Sequence, residues 1–273
     1  MTWSAKQYVT FEDERTRPVR DLLSALPAIE ARSVIDLGCG PGNSTEVLAA
    51  RFPEAAVSGI DSSPDMIAAA RRRLPRAVFS IGGIEEWVDV GSFEKDAGPF
   101  DVILANAVLH WVPDHATLLP KLIAKLTPGS RLGVGGALAI QMPDNLDDPT
   151  HRLMREVAAD GPWAPALAEA SAARTPIADA DWYYELLRPL CRRVDIWRTT
   201  YYHPLSGGPG AIVEWFKGSG LRPFLEPLNA LQRDAYLERY TAAVARVYPT
   251  LADGSVLLAF PRLFLAAVVA GDC

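Results

Sequence analysis

An α/β fold on a parallel, doubly wound sheet is what this sequence predicts, and three observations predict it. Short apolar runs alternate with helical patterns from residue 33 to about 142. The first run, Val34, Ile35 and Leu37, passes at once into Gly38-Cys39-Gly40-Pro41-Gly42, whose glycines permit positive φ and leave no Cβ in a ligand's way. The second run, Ala56 to Ile60, ends in Asp61, 19 residues past Gly42, where a strand-end acid can accept both hydroxyls of a ribose.

The glycine turn narrows the ligand. A dinucleotide fingerprint needs a third small residue where Asn43 stands, and Asp36 precedes the first glycine by two positions. A carboxylate there repels a pyrophosphate but attracts an ammonium or a polar water network. Asn43-Ser44-Thr45-Glu46 then opens a helix with capping-type residues and an acid in its first turn.

Composition excludes several classes. With 273 residues, 49% hydrophobic, the chain can bury a sizeable core in one large domain or a domain with a cap. A net charge of −6 gives no global pull toward nucleic acid or anionic membrane. Neither a leader pattern nor an apolar run of spanning length is present, and Val256 to Ala270, broken by Pro261-Arg262, reads as a core strand. Cys39, Cys191 and Cys273 are too scattered for a disulfide framework or a metal site, so a reducing cytoplasm is the simplest compartment.

The elements follow in order. Pro18 is placed to open a helix through Leu22 to Leu26, and the aromatic residues Trp3, Tyr8 and Phe11 precede it in a segment that reads either as lying on the domain surface or as a lid. Ser63 and Pro64 start a helix through Met66 and Ile67 to Leu74, which Pro75 stops. Strand three, Ala77 to Ile81, leads into Gly82-Gly83-Ile84-Glu85-Glu86, with Trp87 assigned to the core. Strand four, Phe100 to Ala105, delivers Asn106 and His110-Trp111 to the rim of the cleft; His110 is a candidate general base, though a positioned hydrogen-bond partner is the commoner role. The Asp/Asn-Pro-Pro-aromatic pattern of base-flipping amino methylation is absent, because Ala107-Val108 follows Asn106. Asp114 caps the next helix, His115 to Leu126, and strand five runs over Gly136 to Gln141 after an apparent insertion at 130–135. Residues 147–190 break the alternation, with weak helical periods at His151 to Ala159 and Trp182 to Leu187. Arg193 to Tyr202 alternates as strand six, ended by His203-Pro204; a helix over Ile212 to Phe216, a longer one from Asn229 to about Val247, and a last strand near Leu263 to Val269 complete the chain.

The Asp-x-Gly-x-Gly-x-Gly turn resembles the first motif of class I S-adenosylmethionine-dependent methyltransferases. A narrower likeness extends from end to end. Trp3-Ser4-Ala5 with Tyr8, Phe11 to Pro18, Leu37 to Thr45, Asn106-Ala107 with Trp111 to His115, Gln141 to Asn145, Gly218 to Pro223 and Phe260 to Phe264 together resemble the trans-aconitate 2-methyltransferase family. The resemblance implies a seven-stranded, mostly parallel sheet in the order 3-2-1-4-5-7-6 with strand seven antiparallel. It implies one domain over 1–273: an N-terminal lid (1–32), a cofactor core (33–142), a cap (143–227) and a C-terminal helix and strand (228–273). Expected cofactor contacts are Asp36, Gly38, Cys39, Gly40, Asn43, Asp61, Ser62, Met66, Ile84, Glu85 and Asn106. The family usually carries Asp or Asn where Gly83 stands, so the adenine must find Glu85, Glu86, a carbonyl or water.

The implied reaction moves a methyl group from S-adenosyl-L-methionine to a carboxylate, leaving S-adenosyl-L-homocysteine. A carboxylate is ionised at neutral pH and needs no general base, so no catalytic residue beyond the candidate His110 is expected. A small tricarboxylate needs gripping, and arginine suits that task. Candidates are Trp3, Tyr8, Phe11, Arg17, Trp111, His203, Trp215 and Arg222, with Arg262, Tyr201 and Tyr202 also weighed. Arg222 and His203 rank first because each stands beside a glycine or proline turn. No nucleic acid, membrane or metal partner is expected, and a monomer or weak dimer is. Competing readings are a carboxyl methyltransferase for a malonyl thioester, which would need a basic docking run that is not evident; an NAD-dependent oxidoreductase, opposed by the glycine register; and a non-catalytic cofactor-binding module, kept open by Gly83.

Overall fold

The computed structural model describes residues 12–90, 99–129, 135–172, 174 and 176–269. Its sheet has seven strands in the order β3-β2-β1-β4-β5-β7-β6, numbered along the chain. These are β1 (Ser33–Leu37), β2 (Ala56–Asp61), β3 (Val78–Ile81), β4 (Val102–Asn106), β5 (Ala137–Pro143), β6 (Cys191–Ser206) and β7 (Ser255–Val269). The first five pair in parallel. Between β5 and β7, Val269 N donates to Gly136 O and Asp144 N donates to Pro261 O, so partner numbers fall as strand numbers rise and the pair is antiparallel. Both the order and the reversed strand are as expected.

The chain divides into two compact units: 1–142 with 177–199 and 263–273, and 143–176 with 200–262. In the first, β1, β4 and β5 are buried almost throughout, as continuous apolar runs in a parallel sheet must be when both faces are covered. Helices α1 (Glu12–Ser24), α2 (Asn43–Arg51), α3 (Pro64–Arg73), α4 (Ile84–Val90), α5 (His115–Ala124) and α7 (Ala180–Leu187) belong to it. Trp87 is core, tilted against Phe100 at 5.8 Å. Residues 177–199 fall here and not in the cap, because Tyr183 and Leu187 bury in the same apolar cluster as Ile103 and Leu138, and the Tyr183 hydroxyl meets His115 Nδ1 at 2.7 Å.

In the second unit α6 (Pro149–Ala159) packs with α10 (Ala230–Val247), so α10 joins the segment expected as a cap. Tyr236 and Tyr240 bury their rings and donate to the carbonyls of Met154 (2.9 Å) and Thr150 (3.2 Å), which satisfies each hydroxyl. Helices α8 (Pro209–Lys217) and α9 (Arg222–Leu225) complete it, and a reciprocal Asn229–Gln232 capping box starts α10.

Four expected boundaries move. Helix α1 begins at Glu12, before Pro18, which lies inside it; three acids in its first turn complement the dipole, and the Arg73 guanidinium clamps Glu12. His203-Pro204 does not end β6, because β6 is the edge of the sheet and an edge strand tolerates a proline. Pro261 likewise sits within β7, offering its carbonyl to Asp144. Helix α5 ends at Ala124, short of Leu126. The apparent insertion lies outside the described residues at 130–134.

Candidate functional site

The carboxyl ends of β1, β2, β4 and β5 stand side by side, with Leu37 in register with Ile60 and Ala105 and Asn106 with Gln141. In open α/β sheets that edge is where ligands bind. Gly38, Gly40 and Gly42 all adopt positive φ, yet they serve different ends. A Cβ on Gly38 would lie 2.4 Å from Val108 Cγ2, so this glycine packs against the loop after β4. One on Gly42 would lie 3.2 Å from Ala70 Cα, so that glycine brings α2 close to α3. A Cβ on Gly40 meets nothing within 4 Å: this is the glycine that borders open space.

Two carboxylates frame the turn. Asp61 accepts from Gly40 N (3.0 Å) through one oxygen and from Ser63 N (2.8 Å) through the other. Burial pushes its carboxyl above the usual range, against those two hydrogen bonds. Asp36 is completely buried, and both Ser44 and Thr45 donate their hydroxyls to its Oδ2 at 2.7 Å. Its Oδ1 is buried with no partner among the described residues. Desolvation pushes the Asp36 carboxyl up to about 7, the two hydroxyls pulling the other way and Asp61 adding repulsion. The expectation that Ser44 and Thr45 serve as capping residues is corrected here: α2 is capped at Gly42 without a side-chain bond, and the hydroxyls hold Asp36 instead. Asn43 is buried and donates to Thr16 Oγ1 (3.3 Å), tying α1 to the turn.

The other cofactor candidates lie along the same edge. Cys39 is buried, its thiol pushed far up by desolvation, which makes it an inert packing group. Ser62 is exposed; Met66 is buried behind the Ser63 cap; Ile84 is buried and Glu85 exposed at the start of α4. Asn106 is buried with its Oδ1 unpartnered among the described residues, and Ala107 beside it has φ 54°, a strained value for a residue with a Cβ. His110 is buried 5.0 Å from the half-exposed Trp111 ring.

The substrate candidates separate. Trp3, Tyr8 and Phe11 lie outside the described residues. Arg17 is exposed on α1 and faces Asp21 at 4.0 Å, whereas Arg15, which the sequence reading passed over, is buried. Their helical phases differ, and helical periodicity is the signal that separates such pairs. In the second unit His203 stacks on Trp215 at 4.8 Å, beside Tyr201 and Phe260, and the buried Arg262 guanidinium lies 4.5 Å over Phe260. Arg222 donates to Glu226 at 2.9 Å. Sequence reasoning missed a polar network in this unit: Arg174 donates to Asn145 Oδ1 (3.0 Å), Pro143 O (2.8 Å) and His151 Nε2 (3.1 Å). Asn145 stands in the Met-Pro-Asp-Asn motif, the one signal that could have found it.

Comparison with known proteins agrees with this geometry. A family model for a methyltransferase domain matches residues 35–132. Trans-aconitate 2-methyltransferase of Methylobacterium nodulans is 55% identical over 97% of both chains. Its counterpart from Rhodopseudomonas palustris strain BisB5 is 52% identical over 97% of this chain and 98% of its own. Among solved structures, Bacillus subtilis YcgJ overlays with a TM-score of 0.57 at 10% identity, covering 94% of this chain and 99% of its own. Phosphoethanolamine N-methyltransferase 2 of Haemonchus contortus, solved with S-adenosyl-L-methionine, overlays at 0.53 and 16% identity, covering 94% and 53%. These two likenesses bear on the fold.

Proposed function

The chain belongs to the trans-aconitate 2-methyltransferase family, and from that premise we propose that it forms the monomethyl ester of trans-aconitate by in-line transfer to an ionised carboxylate, without a general base. It is a methyltransferase, and its cofactor is S-adenosyl-L-methionine. The observation that supports the substrate is an identity of 55% that runs over 97% of both chains.

The residues present fit the cofactor. Gly40 leaves room for it, Asp61 keeps lone pairs for ribose hydroxyls after taking two backbone donors, and Asp36 Oδ1 lacks a donor that an amino acid's ammonium could supply. When bound, S-adenosyl-L-methionine supplies a methyl group on a positively charged sulfur. The chain's task is then to align the accepting oxygen and keep water out, and alignment of that kind can supply roughly 7–11 kcal/mol of the barrier. Asn106, His110 and Trp111 line the end of β4 for this purpose. In the second unit His203 and Arg222 are the candidate partners for the substrate's charge, with Trp215 as an apolar wall.

The test is incubation with labelled S-adenosyl-L-methionine and a panel of di- and tricarboxylic acids, reading base-labile ester. Label transferred to trans-aconitate is the expected result, with kcat flat between about pH 6 and 9 because the acceptor stays ionised. Transfer only to protein or nucleic acid overturns the reading, and a kcat that follows a histidine titration returns His110 to the role of base. Gly83 offers a second check. Its added Cβ meets nothing within 4 Å and its φ is not left-handed, so Gly83→Asn is expected to fold as well as the parent. With an amide available to the adenine, calorimetry should show cofactor binding about 3- to 10-fold tighter, the worth of one added hydrogen bond; weaker binding would mean the adenine is not near residue 83.

A further inference from the structure

From the second unit alone, we propose that Arg174 is a carboxylate-binding residue that holds a non-reacting carboxylate of the acceptor. The inference rests on the carboxyl methyl transfer proposed above and adds a residue that no sequence motif singled out.

The guanidinium is built into place. Its Nη1 donates to Asn145 Oδ1 and to His151 Nε2, and its Nη2 donates to Pro143 O. A guanidinium has five N–H groups and no acceptor, so two donors remain: Nε–H and one hydrogen on Nη2. Nε is buried with no partner among the described residues. Nε and Nη2 share one edge of the fork, and a side-on edge of this kind matches the two oxygens of a carboxylate.

The hydrogen-bonded shell is neutral. Asn145 offers an amide oxygen and Pro143 a carbonyl. His151 accepts from a group that only donates, so its ring hydrogen is on Nδ1, 3.4 Å from Thr150 Oγ1. Burial and the Arg174 and Arg155 charges hold His151 far below its usual range, at about 3, which keeps it uncharged. A Cβ on Gly220 would stand 2.9 Å from His151 Nε2, so that glycine makes room for the imidazole. Asp144 acts on Arg174 through space in favour of its charge and Arg155 against it, and desolvation brings Arg174 down to about 10. A largely desolvated cation whose bonded neighbours are all neutral is a site for an anion.

Pro143, whose carbonyl accepts from Arg174, is the last residue of β5. Arg174 keeps partial exposure there. The alternative is that Arg174 merely braces the chain as it leaves β5.

Calorimetry with the S-adenosyl-L-homocysteine-loaded protein separates the two. Wild type should bind a tricarboxylate more tightly than a dicarboxylate that lacks one acid group. Arg174→Lys keeps the charge but loses the fork, and should weaken tricarboxylate binding about 100-fold, level it with the dicarboxylate, and leave the affinity for S-adenosyl-L-homocysteine within twofold. Asn145→Asp supplies an internal carboxylate to the same guanidinium and should also abolish the preference while raising Tm. If Arg174→Lys weakens both acids equally, or neither, the inference fails while a wild type that still methylates acids leaves the function standing. If wild type binds no polycarboxylate, both fail.

Discussion

Gly38→Ala is expected to lower Tm by about 10 °C, while Gly40→Ala folds and fails to hold the cofactor. The two glycines look alike in the sequence. Both adopt positive φ, and a Cβ in that region costs about 1–2 kcal/mol at either position. The difference is what the Cβ meets. At residue 38 it would stand 2.4 Å from Val108 Cγ2 and 2.6 Å from its Cβ, and a β-branched side chain has little freedom to swing away. Val108 follows the strained Ala107, so the backbone there has little slack either. Overpacking adds about 1–3 kcal/mol, bringing the total to about 2–5 kcal/mol, or some 10 °C for a domain of this size. At residue 40 the Cβ enters open space, so only the conformational cost applies, about 2–8 °C and nearer the lower end. The same methyl occupies the face on which the ligand must lie, and cofactor affinity should fall about 100-fold, roughly the 2.7 kcal/mol of a lost close approach. Thermal melts and calorimetry on the two variants decide it. Equal losses of stability would mean that Gly40 is also a packing residue.

The contrast shows what a linear pattern carries. The inner parallel strands were legible because burial on both faces demands apolar runs, and Val34 to Leu37, interrupted only by Asp36, and Val102 to Ala105 are such runs. Asp61 was legible because it closes a strand. The ends of β6 and β7 were not, since His203-Pro204 and Pro261-Arg262 look like stops unless the edge position or the accepting carbonyl is known. Ser44 and Thr45 satisfied a local capping rule, yet a buried acid eight and nine residues back took their hydroxyls. The network at Arg174 left one faint trace, Asn145 in its Met-Pro-Asp-Asn motif, because its partners lie 23 to 31 residues away and each, alone, is an ordinary side chain or carbonyl.

Wild-type stability should fall as pH rises from about 4 to about 7, and Asp36→Asn should remove most of that slope. The carboxyl of Asp36 stands at about 7 when folded, against 3.8 as an unburied reference. Between those values the folded chain holds a proton that the unfolded chain has released, so raising the pH favours unfolding. The stabilisation is complete below about 4 and gone above about 7. Its size is on the order of 4 kcal/mol, at 1.36 kcal/mol per unit. Asp61 shifts in the same direction and adds a shallower slope, which persists in the variant and serves as the internal control. A bound cation changes the sign of the problem. Opposite charge beside Oδ1 favours the ionised carboxylate, so cofactor binding near pH 6 should release close to one proton, and affinity should climb toward pH 7 and then level. Calorimetry in two buffers of different ionisation enthalpy counts that proton. In Asp36→Asn the proton release should vanish and cofactor affinity should drop about 100-fold, as for loss of a buried charge-assisted bond, while Tm at pH 8 rises. A variant that keeps both the wild-type slope and the wild-type proton release would show that the buried oxygen of Asp36 faces no cation, and the cradle would need another ligand.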